Sequence, residues 1–291
     1  MNNHKETVPH VNSSDSSLSA EQKIWFGGKS LLKAFAPTVL YLMLPGFFMA
    51  VGMNLFGGRT TEEVISGSGN FYYTLGIIAT IFILHKRSLK RGSSLAEDVT
   101  LELDNLNRKK LLLLLITGFG FGFFFSALVT VIPFPEFLIS DYNRASDNLT
   151  NGTDPFLALL STSLLAPVTE ELVFRGYMLN RLLAWFDEKK SILITSIVFA
   201  LCHVSLIWIV YAFLMGVLLT KVSMEEDNIA YSIVLHIGFN LNVVPIWFIN
   251  RIPEVSQVVF ANHLLISLYG MIACMAAFYF YKRYRKETNR W

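Results

Sequence analysis

The sequence predicts an all-α, polytopic membrane protein, and three observations support this prediction. The chain has 291 residues, of which 53% are hydrophobic and 16% are charged, whereas a soluble domain carries about 25% charged residues. The apolar residues form long runs of the length that a transmembrane helix requires. One of these runs contains charged side chains around Glu170, and charges at that depth predict an intramembrane polar site.

We predict about eight transmembrane helices, each an apolar run bounded by polar residues. The predicted spans are 31–56, 69–85, 111–138, 154–183, 190–204, 206–222, 228–249 and 259–282. The span 190–204 is short for a hydrocarbon core about 30 Å thick, so we expect it to tilt or to end below the far surface. The connection 86–110 is expected to contain a short helix, and 139–153 is expected to be a polar outer loop.

The distribution of basic residues predicts the orientation in the membrane. On this topology 20 of the 24 lysines and arginines face the side of the N-terminus, and three, Arg59, Arg144 and Arg251, face the other side. Such an excess marks the cytosolic side, so both termini are predicted to be cytosolic. The net charge is only +2, and the basic residues are interpreted as topology anchors, with no nucleic-acid partner.

The segment from Pro167 to Arg175 places three charges inside the predicted span 154–183. Glu171 and Arg175 are four residues apart, so they share one helix face and can form an ion pair. Glu170 is turned about 100° away from that face and has no partner on its own helix. We therefore expect Glu171 and Arg175 to give structural support and Glu170 to be the reactive carboxylate. The alternative is a structural ion pair with a second acid that orients a neighbouring helix.

Two later spans carry further polar residues, in the patterns Phe199-x-x-x-His203 and His236-x-x-x-Asn240. Together with Glu170, these residue types suit hydrolysis by an activated water molecule. The carboxylate would act as general base, and His203 would share the water or protonate the leaving amine. His236 and Asn240 would donate hydrogen bonds to the developing oxyanion.

Zinc is the competing assignment for the same residues. Glu170, His203 and His236 could ligate the metal, with a water molecule in the fourth position. The residue types alone leave the metal-free and zinc mechanisms both open, and they point to no other cofactor.

The ordered trio Glu-Glu-x-x-x-Arg, Phe-x-x-x-His and His-x-x-x-Asn resembles the CAAX-protease and bacteriocin-processing family of intramembrane endopeptidases, also called the Abi group. The resemblance covers about residues 154–249. It implies that Glu170 and His203 activate the water and that His236 and Asn240 form the oxyanion site. Glu171 and Arg175 match the motif positions that look structural. The family has been assigned both metal-dependent and glutamate mechanisms.

The resemblance implies an endopeptidase that cleaves a membrane-associated peptide or protein. The expected location is a bacterial plasma membrane, because the short loops and the Asn- and Lys-containing N-terminus are typical of bacterial proteins. One alternative is a non-catalytic protein of the same family, active in bacteriocin self-immunity or as a cell-envelope scaffold. The second alternative is a transporter that uses Glu170 and the histidines as a proton relay.

These features divide the chain into four predicted parts. They are an N-terminal disordered or interfacial arm (1–30), N-terminal transmembrane helices and loops (31–153), a CAAX-protease-like catalytic core (154–249), and a last transmembrane helix with a basic cytosolic tail (250–291).

Overall fold

The computed structural model describes residues 20–55, 61–150, 155–203 and 205–288, and within these ranges all regular secondary structure is helical. The helices are α1 (Ala20–Leu55), α2 (Thr61–Lys90), α3 (Leu95–Asp98), α4 (Arg108–Val131), α5 (Glu136–Thr150), α6 (155–182), α7 (Glu188–Leu201), α8 (Leu206–Glu226), α9 (Ile229–Asn240), α10 (Val243–Asn250), α11 (Pro253–Ala261) and α12 (His263–Thr288). The prediction of an all-α fold is confirmed. Residues 1–19 of the predicted arm lie outside the described ranges, and the residues from Ala20 onward belong to α1.

Six of the described segments are long and apolar enough to cross a membrane. They are Leu32–Gly52, Arg108–Val131, Phe156–Leu182, Leu206–Glu226, Ile229–Ile249 and His263–Thr288. The predicted span 69–85 lies within the more polar α2, and the predicted span 190–204 corresponds to α7, which has only 14 residues. At about 1.5 Å per residue, α7 is shorter than a hydrocarbon core of about 30 Å. A polytopic membrane protein is therefore supported, but the number of eight spans is not confirmed.

The structure corrects two predicted boundaries. Residues 139–153 were expected to form a loop, but α5 extends over Glu136–Thr150. The predicted span 111–138 is too long, because α4 ends at Val131 and the following Pro133 and Pro135 cannot continue the helix's hydrogen bonds. The predicted span 228–249 agrees with the apolar segment Ile229–Ile249, in which a short turn separates α9 from α10.

Polar side chains start several helices, as expected for caps that satisfy the first backbone N–H groups. Asn107 accepts hydrogen bonds from the amides of Lys109 and Lys110 at the start of α4. Asn228 accepts a hydrogen bond from the amide of Ala230 at the start of α9 and also donates to the carbonyl oxygen of Glu102. The connection that precedes α4 is thereby held against the start of α9.

The predicted short helix in the connection 86–110 is confirmed as α3, and it seals the end of α6. Asp98 on α3 accepts hydrogen bonds from Ser88 on α2 and from Tyr177 on α6, and it forms an ion pair with Arg91. Burial raises the pKa of the Asp98 carboxyl, but the hydrogen bonds and the Arg91 charge outweigh burial, so the pKa lies below its ordinary value. The carboxylate therefore links α2, α3 and α6 at neutral pH.

Helix α4 lies centrally, because it packs along both α9 and α12. Its residues Gly118 and Gly122 have the GxxxG spacing that allows two helices to approach closely. A Cβ atom at Gly118 would lie 2.1 Å from the carbonyl oxygen of Leu235, and one at Gly122 would lie 2.2 Å from that of Phe239. Both glycines therefore form part of the contact that places α9 within the bundle.

We predict that Gly118→Ala destabilises the protein by about 1–3 kcal/mol, the usual cost of overpacking a tight contact. The matched control is Gly46→Ala, because a Cβ atom there meets no atom within 4 Å. Alanine in an unobstructed helix is favoured over glycine by about 0.5–1 kcal/mol. Thermal unfolding of both purified variants in detergent should show a lower melting temperature for Gly118→Ala alone, and equal temperatures would contradict the close packing.

Candidate functional site

The charged motif lies where the geometry of α6 changes. Regular α-helical turns alternate in this helix with wider, π-helical turns, in the order Pro155–Leu160 (α), Ser161–Leu165 (π), Ala166–Glu171 (α), Leu172–Leu179 (π) and Asn180–Leu182 (α). Glu170 and Glu171 end the second α-helical stretch, and Arg175 lies in the second π-helical stretch. Single π-helical turns are rare and occur frequently at functional sites.

The predicted ion pair between Glu171 and Arg175 is present and fully buried. The Nη1 atom of Arg175 lies 2.7 Å from Oε1 of Glu171, and both side chains are 0% exposed. Arg175 also donates to the carbonyl oxygen of Gly216 at 3.1 Å and to the Thr220 hydroxyl at 3.4 Å, both on α8. Its guanidinium lies 4.5 Å from the centre of the Phe199 ring on α7. The pair thus joins α6 to two neighbouring helices.

His236 lies between the two glutamates. Its Nδ1 atom is 2.9 Å from Oε1 of Glu171, and its Nε2 atom is 3.6 Å from Oε2 of Glu170. An ionised carboxylate only accepts hydrogen bonds, so Nδ1 donates to Glu171. In a neutral imidazole Nε2 then carries a lone pair, whereas an imidazolium donates from both nitrogens.

Glu170 differs from Glu171 in both exposure and partners. Its side chain is 13% exposed, against 0% for Glu171. The Tyr41 hydroxyl on α1 donates to Oε1 of Glu170 at 2.7 Å, and the Tyr73 hydroxyl on α2 lies 3.1 Å from that of Tyr41. The expectation that Glu170 has no partner within its own helix agrees with this arrangement, but sequence reasoning missed the partner from α1.

His203 lies beyond the end of α7, not within a membrane span as predicted, because α7 ends at Leu201. Its Nδ1 atom lies 3.0 Å from the carbonyl oxygen of Phe199, which accepts hydrogen bonds only. A neutral His203 therefore presents Nε2 as an acceptor. The Phe199 ring contacts both imidazoles edge to face, with centroid distances of 4.9 Å to His203 and 5.7 Å to His236. Phe199 thus packs against both histidines.

Asn240 is the last residue of α9, one turn after His236. Its side-chain amide donates to the carbonyl oxygen of Thr162 at 2.8 Å. Thr162 belongs to the first π-helical stretch of α6, in which widened turns change the usual backbone pairing. Asn240 therefore connects the end of α9 to the helix that carries both glutamates.

The zinc alternative requires Glu170, His203 and His236 to converge on one metal ion. Within residues 20–55, 61–150, 155–203 and 205–288, no group of three or more His, Cys, Asp or Glu side chains is placed to hold a metal ion. The contacts of Nδ1 of His236 with Glu171 and of Nδ1 of His203 with a backbone carbonyl leave Nε2 of each ring, as in histidines that bind a metal. The placement of the side chains, not the state of their nitrogens, is what does not bring Glu170, His203 and His236 together as a zinc site in this arrangement.

The part of the chain that carries the motifs is similar to known proteins. Residues 152–242 match the family model of type II CAAX prenyl endopeptidase Rce1-like proteins. The chain is 33% identical over 106 residues to the UPF0177 protein YbdI of Lactococcus lactis subsp. lactis (strain IL1403), covering 35% of this chain and 56% of that protein. It is 30% identical over 79 residues to the UPF0177 protein YxdF of the same strain, covering 27% and 43%. No solved structure matches.

The matched segment contains all three motifs, so the predicted family resemblance is confirmed. The match supports a CAAX-protease-like intramembrane fold, and the apolar helices support a membrane location. The chain spans about half the length of the curated relatives that it matches. Activity, substrate and the predicted division of the chain into four parts stay predictions.

We predict that Arg175→Ala lowers the stability by about 3–5 kcal/mol, because it leaves the buried Glu171 carboxylate without its cation. The control is Arg144→Ala, which breaks the pair with Asp141 in which Arg144 is 76% exposed. An exposed pair contributes only about 0–1 kcal/mol. Thermal unfolding and the yield of folded protein should separate the two variants, and similar losses would contradict a scaffold role for Arg175.

Proposed function

We propose that this protein is an intramembrane endopeptidase that hydrolyses a peptide bond of a membrane-associated peptide or protein. The observation that carries the proposal is the contrast between two adjacent carboxylates. Glu171 is completely buried and bound to Arg175 and His236, whereas Glu170 is partly exposed and faces His236 at 3.6 Å. The contacts of Glu171 connect neighbouring helices, whereas the carboxylate of Glu170 is accessible to a water molecule.

Glu170 is the proposed general base. It takes a proton from a water molecule while the water oxygen attacks the carbonyl carbon of the scissile peptide bond. A base must lie within about 2.6–3.2 Å of the group that it deprotonates. The hydroxyl of Tyr41 is bound to Oε1 of Glu170, so Oε2 is the proposed proton acceptor. The Nε2 lone pair of a neutral His203 accepts the second hydrogen of the same water.

His236 and Asn240 are the proposed donors to the tetrahedral oxyanion. His236 can donate from Nε2 only as an imidazolium, since its Nδ1 proton is directed at Glu171. That protonation state is compatible with the local charges, because the cation balances Glu170, Glu171 and Arg175 to zero. An imidazolium needs such balance in a low-dielectric site. A preorganised donor of this kind is worth about 10²–10³ in rate.

The tetrahedral intermediate then collapses. The proton that Glu170 holds passes to the leaving nitrogen, and the carbon–nitrogen bond breaks to give a carboxylic acid and an amine. Water has been consumed, and Glu170 returns to its carboxylate form. The same acid therefore serves as base and then as acid.

The proposed location is a bacterial plasma membrane with both termini in the cytosol, as the distribution of lysine and arginine indicates. The curated relatives named above come from a bacterium. The proposed substrate is a peptide or protein held at the membrane, since the reactive acid lies on a helix of membrane-spanning length and composition.

We predict that Glu170→Gln lowers hydrolysis by at least about 10²-fold, because the amide keeps the shape of the side chain and cannot act as a base. The assay uses purified protein in liposomes with a library of fluorogenic, membrane-anchored peptides. The control is Glu188→Gln at the exposed start of α7, which should retain wild-type activity. Both variants should melt at the wild-type temperature within a few degrees.

Full activity of Glu170→Gln would refute the proposed mechanism. A cellular phenotype that persists in this variant would instead support the alternative of a non-catalytic self-immunity or cell-envelope scaffold protein. That alternative also predicts large phenotypic effects of Arg175→Ala, because the bundle itself would be the functional unit.

We predict that a strong chelator leaves the hydrolysis rate unchanged, because no described group of three ligands is placed to hold a metal ion. The measurement compares activity before and after chelation, with the metal content followed by elemental analysis. Purified protein that contains stoichiometric zinc, loses activity on chelation and regains it only with added zinc would overturn the metal-free mechanism.

A further inference from the structure

Two tyrosines outside the family-matched segment are linked to the proposed catalytic carboxylate, Tyr41 directly and Tyr73 through Tyr41. Tyr41 lies on α1 and Tyr73 on α2, whereas the family match begins at residue 152. Tyr41 is only 6% exposed, and its hydroxyl lies 2.7 Å from Oε1 of Glu170. The N-terminal helices therefore provide a polar group to a site whose recognised motifs all lie later in the chain.

The direction of the hydrogen bonds follows from the chemistry of the groups. A carboxylate accepts, so the single hydroxyl proton of Tyr41 is directed at Glu170. The oxygen of Tyr41 can then only accept from Tyr73, whose hydroxyl lies 3.1 Å away. The result is a relay from Tyr73 to Tyr41 to Glu170, and hydrogen bonds in such a chain strengthen one another at low dielectric.

We infer that Tyr41 is a positioning residue that selects the working oxygen of Glu170. By occupying Oε1, Tyr41 fixes the rotation of the carboxylate and leaves Oε2 on the side of His236, 3.6 Å from Nε2. Tyr73 acts one step further out, by orienting the hydroxyl of Tyr41. This inference rests on the proposed function, because it assigns Tyr41 a part in the same reaction.

A structural role and a positioning role of Tyr41 predict different effects of removing its hydroxyl group. If Tyr41 only filled space between α1 and α6, its ring would suffice, and the hydroxyl would be dispensable for turnover. If it positions the base, loss of the hydroxyl frees the carboxylate to rotate, which slows proton abstraction without changing substrate contacts. Small misplacement of a catalytic group costs rate even when binding is intact.

The experiment measures kcat and KM separately for Tyr41→Phe, Tyr73→Phe and the control Tyr72→Phe. Tyr72 is also buried on α2, but it packs against Gly52. Tyr41→Phe removes a hydrogen bond to a charged group, so it should lower kcat about ten-fold or more, with KM within about two-fold of wild type. Tyr73→Phe removes a weaker, neutral hydrogen bond and should lower kcat about five-fold, and Tyr72→Phe should not lower it.

Wild-type protein and Glu170→Gln are measured in the same liposomes with the same peptide library. If Glu170→Gln is inactive while Tyr41→Phe keeps the wild-type kcat, the positioning role is overturned and the proposed function stands. If Glu170→Gln is active, or wild-type protein does not hydrolyse the library, both are overturned. If Tyr41→Phe does not fold, Tyr73→Phe decides, and an unchanged kcat in a folded Tyr73→Phe overturns the relay.

Discussion

The buried ion pair between Glu171 and Arg175 is the interaction on which the rest of the site depends. Both side chains are fully buried, and removing two charges from water costs several kcal/mol per ion, which their mutual attraction and hydrogen bonds must offset. Arg175 finds partners on α8, and Glu171 finds the imidazole of His236 on α9. A shift of any of these helices by one residue would break one of these hydrogen bonds. The pair therefore specifies how α6, α8 and α9 are aligned.

The two adjacent glutamates have different surroundings, and this difference is the basis of the different roles that we propose for them. Glu171 is enclosed and accepts from Arg175 and His236 through one oxygen. Glu170 is directed about 100° away around the helix, where it meets a phenol from α1 and the outer nitrogen of the same imidazole. His236 thus contacts both the buried ion pair and the proposed base, so a disturbance of the ion pair would reach Glu170 through this side chain.

The sequence was sufficient for the features that depend on local spacing. The pair Glu171–Arg175 follows from a four-residue separation, and the approach at Gly118 follows from small residues one turn apart. Features that depend on the partners of a helix were missed. Residues 139–153 were expected to form a loop because polar segments are commonly solvent-exposed loops. Most of them instead belong to α5, which is an amphipathic helix. The site of Tyr41 could not be found, since a single tyrosine in an apolar run is also typical of a membrane interface.

The placement of Tyr41 has a consequence for the organisation of the chain. The family-matched segment 152–242 contains every motif residue, but it does not contain the group that holds Oε1 of Glu170. Without α1, that oxygen would lose its donor. Helix α1, which carries no recognised motif, therefore contributes a contact to the proposed base, and the motif segment alone does not account for the orientation of Glu170.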